Sequence, residues 1–226
     1  MNMYGDWGNV LTLKRRLEWR GYHANVVEYN VGDAFPDDVD IVVGGGGQDS
    51  GQTRIGDDLT RIGPALKKLA DEGVPMLVIC GLYQQFGHFF KTKDGATIKG
   101  IGILDIETHG SDVRMIGNII TRSDEFGDIV GYENHSGQTA LGSNAAPLAR
   151  VVLGAGNNDH DGHEGARYRN VIGSYLHGSL LPKNPAIADF LIREAIQRKF
   201  DDVLVSLALE NDYTDYARDV AMKRPR

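Results

Sequence analysis

A chain of 226 residues, 41% apolar and 24% charged, has the make-up of an ordinary globular protein with room for one large domain. Its net charge of −7 argues against a nucleic-acid binder, because phosphate recognition runs on clustered Lys and Arg. No apolar run approaches the roughly 18–20 residues of a membrane span, and no signal-peptide core is present, so the expected location is the cytoplasm. A single cysteine, Cys80, excludes an intrachain disulfide framework and a cysteine-rich metal site.

Taken in chain order, apolar runs alternate with helical patterns, which is the signature of an α/β fold with a largely parallel sheet. Val10, Leu13 and Leu17 mark one face of a first helix, with Asn9 as its N-cap and Gly21 as its stop. Strands are expected at Ala24–Tyr29 and Val39–Val43, the second ending in four glycines. Leu59, Ile62, Leu66, Leu69 and Ala70 line a helix closed by Gly73, with Gly63-Pro64 weakening its middle. Pro75–Ile79 is too continuously apolar to alternate and reads as a strand covered on both faces, followed by a helical stretch at Leu82–Phe90. Short strands at Ile101–Ile106, Arg114–Thr121 and Leu148–Leu153 suggest an antiparallel section of the sheet. Asn157–Gly165 reads as a polar loop, and Val171–Leu176 as a strand ending at His177-Gly178. Asn184-Pro185 starts a helix with Ile187, Phe190, Leu191 and Ala195 on its buried face. An amphipathic C-terminal helix is expected over about 202–220, and Lys223-Arg224-Pro225-Arg226 reads as a solvated tail. With no repeat, low-complexity tract or linker, residues 1–226 read as one domain. An α/β sheet of this kind usually begins with a buried strand, whereas this chain opens on a helix, so a first strand missing from the N-terminus is an open possibility.

The strongest chemical signal is Val78-Ile79-Cys80-Gly81-Leu82-Tyr83-Gln84. A strand that turns tightly into a helix presents its turn residue at the top of the sheet, the geometry of a nucleophile elbow. A helix N-terminus also favours thiolate over thiol. On the local pattern alone, a buried structural cysteine competes evenly with a nucleophile. A cysteine nucleophile needs a base, usually a histidine remote in sequence. Of seven histidines, His177 is favoured because a strand delivers it to the same edge as Cys80. His135, in Glu133-Asn134-His135-Ser136-Gly137, is placed to line the same cleft. His160 and His163 read as solvated and His88 as packed or exposed. Gly44-Gly45-Gly46-Gly47-Gln48-Asp49 can aim backbone N–H groups at an anion or an oxyanion, with a linker turn as the competing reading. It lacks the Lys-Ser/Thr of a P-loop and the helix of a dinucleotide fingerprint.

These three pieces together resemble the class I glutamine amidotransferases, and within them the branch that includes the cobyric acid synthases. Two further stretches resemble the glutaminase subunits of lipid II isoglutaminyl synthases, which work with a MurT-like Mur-ligase subunit. These are Asn2-x-Tyr4-Gly5-Asp6-x-Gly8-Asn9 with Trp19-Arg20-Gly21, and Gly131–Gly137 with Thr139. The resemblance implies a single amidotransferase domain of α/β class, with a mostly parallel central sheet flanked by helices and an antiparallel section. It implies Cys80 as nucleophile, His177 as general base, oxyanion donors near Gly46 and Gly81, and Gln84 and Arg114 as substrate-binding residues. Arg114 would clamp the α-carboxylate, a task its planar fork suits. It implies no cofactor or metal in this chain, with ATP and Mg in the partner and lipid II as the acceptor reached through it. Val203, Leu204, Leu207 and Ala208 are candidates for the partner interface; packing on the chain's own core explains them equally well.

The chain departs from the pattern at four places. Val78 and Leu82 flank the cysteine where the class prefers glycine, and Leu82 threatens to crowd the turn. Ser179 stands where the class places a Glu two residues after the histidine, so either a Cys-His dyad or an acid from elsewhere is expected. Trp7 stands where the resemblance leads one to expect Arg, and the first strand is absent. Three other readings stay open: an amidotransferase subunit for a corrinoid carboxylate, a non-catalytic scaffold, and a freestanding hydrolase of γ-glutamyl compounds.

Overall fold

A computed structural model describes residues 6–47, 49–201, 209 and 211–224. Its elements run in the order α1 (Trp7–Trp19), β1 (Val42–Gly44), α2 (Asp49–Asp71), β2 (Met76–Ile79), α3 (Gly81–Phe86), β3 (Phe89–Lys91), β4 (Thr97–Lys99), β5 (Ile106–Ser123) and β6 (Gly127–Leu141). They continue with β7 (Ala149–Leu153), β8 (His163–Glu164), β9 (Ala166–Tyr168), β10 (Val171–Ser174), β11 (Leu176–His177), α4 (Leu180–Lys183), α5 (Pro185–Phe200) and α6 (Asp212–Met222).

Among the described residues the strands form two sheets. One has the order β1-β2-β10-β9, with β1, β2 and β10 parallel and β9 antiparallel. Every residue of β2 and β10 is buried, as the unbroken apolar run at 75–79 leads one to expect of a strand covered on both faces. The other sheet is larger and mostly antiparallel, built on the long β5–β6 hairpin with β11, β3, β4, β7 and β8 around it. The α/β class with an antiparallel section therefore holds, the antiparallel section being the greater part.

Several elements differ from expectation, each for a visible reason. Residues 24–29 form no strand: Val26 and Val27 are exposed, and no ladder pairs this stretch. The helix after Cys80 stops at Phe86, because Gly87 is extended and turns the chain into β3. Residues 101–105 form no ladder because their N–H groups go to α3 instead. Ile101 donates to the Gln85 carbonyl, Gly102 to Gly87, and Ile103 and Leu104 both to Phe86. That wrap satisfies carbonyls a short helix would leave open. Asn9 is not a cap; it lies inside α1, fully buried, where its Oδ1 accepts the Leu181 N–H at 2.9 Å. The residue ahead of α1 is Asp6. The expected C-terminal helix is α6, beginning at Asp212; Val203, Leu204, Leu207 and Ala208 lie outside the described residues, as do residues 1–5, Gln48, Pro225 and Arg226.

Two buried polar side chains fix the parts that deliver the site. Asn184, 2% exposed, makes no cap bond although Pro185 does start α5. Its Oδ1 accepts the Val130 N–H, while its Nδ2 donates to the Val130 and Leu180 carbonyls. Glu164, fully buried, accepts from Ser174 Oγ at 2.6 Å and the Tyr175 N–H at 3.0 Å, and Ser174 Oγ in turn accepts the Leu176 N–H. That cluster sits where the chain leaves the first sheet at β10 and enters the second at β11. Residues 157–165, read as a polar loop, bury Asn157, Asn158 and Glu164 and contribute β8.

Asn184→Ala strips partners from three buried backbone groups. It is expected to cost about 2–3 kcal/mol in chemical denaturation. Glu164 gives a pH signature: burial, against the bonds from Ser174 and Tyr175, pushes its pKa up from 4.5 to about 7. A raised folded-state pKa means stability that is fully present below the unfolded value and lost as pH rises through the folded one. Wild-type stability should therefore fall between about pH 5 and pH 8, and Glu164→Gln should flatten that slope.

Candidate active site

Three strand ends meet at one edge. Gly44 of β1 lies opposite Val78 of β2, and Ile79 of β2 opposite Ser174 of β10, so chains leaving these strands emerge side by side. β1 leads to Gly46 and β2 to Cys80, while β10 leads through Tyr175 to His177 in β11. This is the carboxyl end of the parallel strands, where open α/β sheets place their ligands.

Cys80 sits between β2 and α3 with φ 51° and ψ −108°, a conformation that side-chain-bearing residues rarely adopt. The turn is clamped on both sides: the Cys80 N–H donates to the Ser174 carbonyl at 2.8 Å, and its carbonyl accepts the Gln84 N–H at 3.0 Å. Such backbone strain costs of order 1–3 kcal/mol and survives only where surrounding bonds enforce it. The expected crowding by Leu82 is relieved at Gly44, against which the Leu82 side chain packs; a Cβ on Gly44 would meet Leu82 Cδ2.

His177, 2% exposed, interacts with both Cys80 and Asp6. Its Nδ1 lies 3.9 Å from Asp6 Oδ1. Burial opposes a charge on the ring, but Asp6 and Cys80 outweigh it and raise the pKa to about 9. The ring is therefore an imidazolium at neutral pH. Gly46 faces the pair closely: a Cβ there would stand 2.8 Å from His177 Cε1 and 3.4 Å from Cys80 Cβ. Gly81 opens α3 and leaves room for the Gly47 carbonyl, which a Cβ would meet at 2.8 Å.

The other named residues fall into two groups. Gln84 is buried beside the site, with Nε2 donating to Tyr175 Oη at 3.0 Å and Oε1 accepting from Gln52 Nε2 at 2.8 Å. Arg114 lies exposed at the bulged stretch of β5, its Nε donating to Asn134 Oδ1 at 2.9 Å. His135 does border this region but as a packing group: its ring stacks on Tyr175 at 3.5 Å and 3°, with Nδ1 donating to the Gly137 carbonyl. Burial pushes its pKa down to about 3, so it stays neutral. His88 pairs with Asp105 at the surface, and His160 is exposed.

Two residues of the site had no role in the sequence reading. Asp6 is 3% exposed, and its Oδ2 accepts the Gly46 N–H at 2.6 Å; its signals in the sequence are a place in the Asn2–Asn9 stretch and a position directly ahead of the first apolar-periodic helix. Glu133 holds the Ala155 and Gly156 N–H groups from β6. It was visible only as part of a motif. Alternate residues of that strand face β11: a Cβ on Gly131 would stand 2.7 Å from Leu176 Cβ, so the missing side chain lets the histidine-bearing strand close in.

Comparison with known proteins shows the family. Residues 1–185 match the CobB/CobQ-like glutamine amidotransferase domain. Over 200 residues the chain is 42% identical to the lipid II isoglutaminyl synthase (glutamine-hydrolyzing) subunit GatD of Staphylococcus aureus, covering 88% of this chain and 82% of that one. The GatD subunit of Streptococcus pneumoniae is 37% identical over 232 residues, covering 95% and 87%. Among solved structures, a glutamine amidotransferase superposes with a TM-score of 0.58 at 17% identity, over 82% of this chain and 93% of that one. On these grounds the chain belongs to the CobB/CobQ-like glutamine amidotransferase family.

Proposed function

We propose that this chain is the glutaminase subunit of a lipid II isoglutaminyl synthase, hydrolysing glutamine and handing the ammonia to a MurT-like ligase subunit. The ligase would amidate the D-glutamate of lipid II to D-isoglutamine in peptidoglycan synthesis, in the cytoplasm. The observation that carries the hydrolytic half is the meeting of a cysteine on a strained turn with a buried histidine and a glycine N–H at one sheet edge. The acceptor half rests on the two relatives that bear this name at 42% and 37% identity over most of the chain.

In this reading the Cys80 thiolate, paired with the His177 imidazolium, attacks the side-chain amide carbon of glutamine. The N–H groups of Gly46 and Gly81 hold the oxyanion of the tetrahedral intermediate. The C–N bond breaks as His177 gives its proton to the departing nitrogen, leaving ammonia and a γ-glutamyl thioester. Neutral His177 then takes a proton from water as that water attacks the thioester, which releases glutamate and restores the ion pair. Arg114 clamps the substrate α-carboxylate. Gln84 borders the substrate and must exchange Tyr175 or Gln52 for it. ATP and Mg belong to the partner, which activates the acceptor carboxylate. The C-terminal segment is the proposed docking face for the partner, a reading supported by α6, which buries none of its side chains and exposes Tyr213 and Tyr216.

Glutamate release from glutamine, with and without the MurT-like partner, tests the reading. Cys80→Ala and His177→Ala should each lose on the order of 10³-fold or more in rate. Wild-type release should decline as pH rises through about 9, where His177 gives up its proton. Absence of release from the wild-type complex would sink the proposal.

A further inference from the structure

One buried carboxylate enters the hydrolysis described above only through its effect on His177. Asp6 stands directly ahead of α1, at the N-cap position, yet its side chain does not cap the helix. It turns instead to the glycine that faces Cys80 and His177: its Oδ2 accepts the Gly46 N–H at 2.6 Å. That is a short, charge-assisted bond made where both partners are buried. The same N–H is the donor that the oxyanion requires. The space is also small, since the Cβ position of Gly46 stands 3.4 Å from both Asp6 Oδ2 and Cys80 Cβ. A substrate carbonyl oxygen aimed at Gly46 would meet the carboxylate already there.

The second oxygen of Asp6 faces the histidine at a longer distance. Oδ1 is buried and lies 3.9 Å from His177 Nδ1, where the carboxylate helps to raise the pKa of the ring. A carboxylate that orients an imidazole does so through a bond of about 2.7–2.9 Å. The shorter contact of Asp6 is with the amide. Nor is the carboxylate on a loose arm: Arg16 of α1 forms a two-bond pair with Asp189 of α5 at 2.7 Å, and Arg20 adds a third bond. The helix that follows Asp6 is therefore pinned.

We propose that Asp6 competes with the substrate for the oxyanion donor: its carboxylate occupies the Gly46 N–H in the free subunit, and glutamine binds and reacts only as it withdraws. This rests on the glutaminase reading of the site. A carboxylate here also repels the negative charge that develops on the substrate oxygen, so resting and reacting states exclude each other.

The test separates binding from turnover. Glutamine affinity is measured by calorimetry on Cys80→Ala and on Cys80→Ala with Asp6→Ala, and KM and kcat for glutamate release are measured with Cys80 intact. The second Asp6 variant, Asp6→Asn, is isosteric and keeps an acceptor on Gly46 without the charge, so it also serves where the alanine variant fails to fold. Asp6→Ala is expected to tighten glutamine binding by about tenfold, the factor one charge-assisted hydrogen bond commands. It should lower KM to match, with a smaller gain for Asp6→Asn. Affinity that is unchanged or weaker in both variants overturns the proposal, and a fall in kcat at constant KM would make Asp6 a positioning acid for His177 instead. Release by the wild-type complex without tightening in the variants sinks this proposal alone. No release by the wild-type complex sinks the glutaminase reading and this proposal with it.

Discussion

Everything at the site depends on a single crossing of the chain from one sheet to the other at Tyr175. β10 belongs to the parallel sheet with β2, and β11 belongs to the antiparallel sheet with β6. Between them the backbone must abandon one ladder and enter another, which leaves polar groups without strand partners in a fully buried place. Glu164 and Ser174 resolve this, the carboxylate taking the Ser174 hydroxyl and the Tyr175 N–H while the hydroxyl takes the Leu176 N–H. An unsatisfied buried donor costs about 1–3 kcal/mol, so this cluster decides whether His177 arrives beside Cys80 at all.

The strain at Cys80 is enforced from the same crossing. Its N–H is held by the carbonyl of Ser174, the last residue of β10, so nucleophile and base are positioned by two consecutive strands, β10 and β11. On the far side, Tyr83 lies edge-on to Tyr175 at 5.1 Å, and Thr139, Thr108 and Gln84 extend the hydroxyl network around it. A rigid aromatic and hydroxyl layer thus lies behind both reactive side chains.

What the sequence showed and what it hid follow from the range of the forces involved. Strand β2 and the turn at Cys80 were legible because an unbroken apolar run ending in Cys-Gly has few alternatives. His177 was legible because a second such run delivers it. Helix α2 declared its face through Leu59, Ile62, Leu66 and Ala70, all buried in the event. The misreadings arise where long-range bonds replaced local preference. Asn9 has the chemistry of a cap, but the Leu181 N–H claims it from across the chain. Residues 101–105 have strand composition, yet the carbonyls of α3 take their N–H groups first. Glu164 sits among Gly, Asp and His and carries no periodic signal. Only the fold reveals that water is absent around it.

The stretch Gly131–Gly137 acquires a different meaning once it is seen as one face of β6. Gly131 admits Leu176, Glu133 secures Ala155 and Gly156, and His135 lies flat against Tyr175. These alternate residues form a mould for the strand that carries the base, and none of them has to touch a substrate to be indispensable. A motif of this kind is a record of architecture. A relative that has lost its chemistry but kept its shape would still display it, whereas the working state of the site is written in far fewer letters, those at Cys80, His177 and the glycine that faces them.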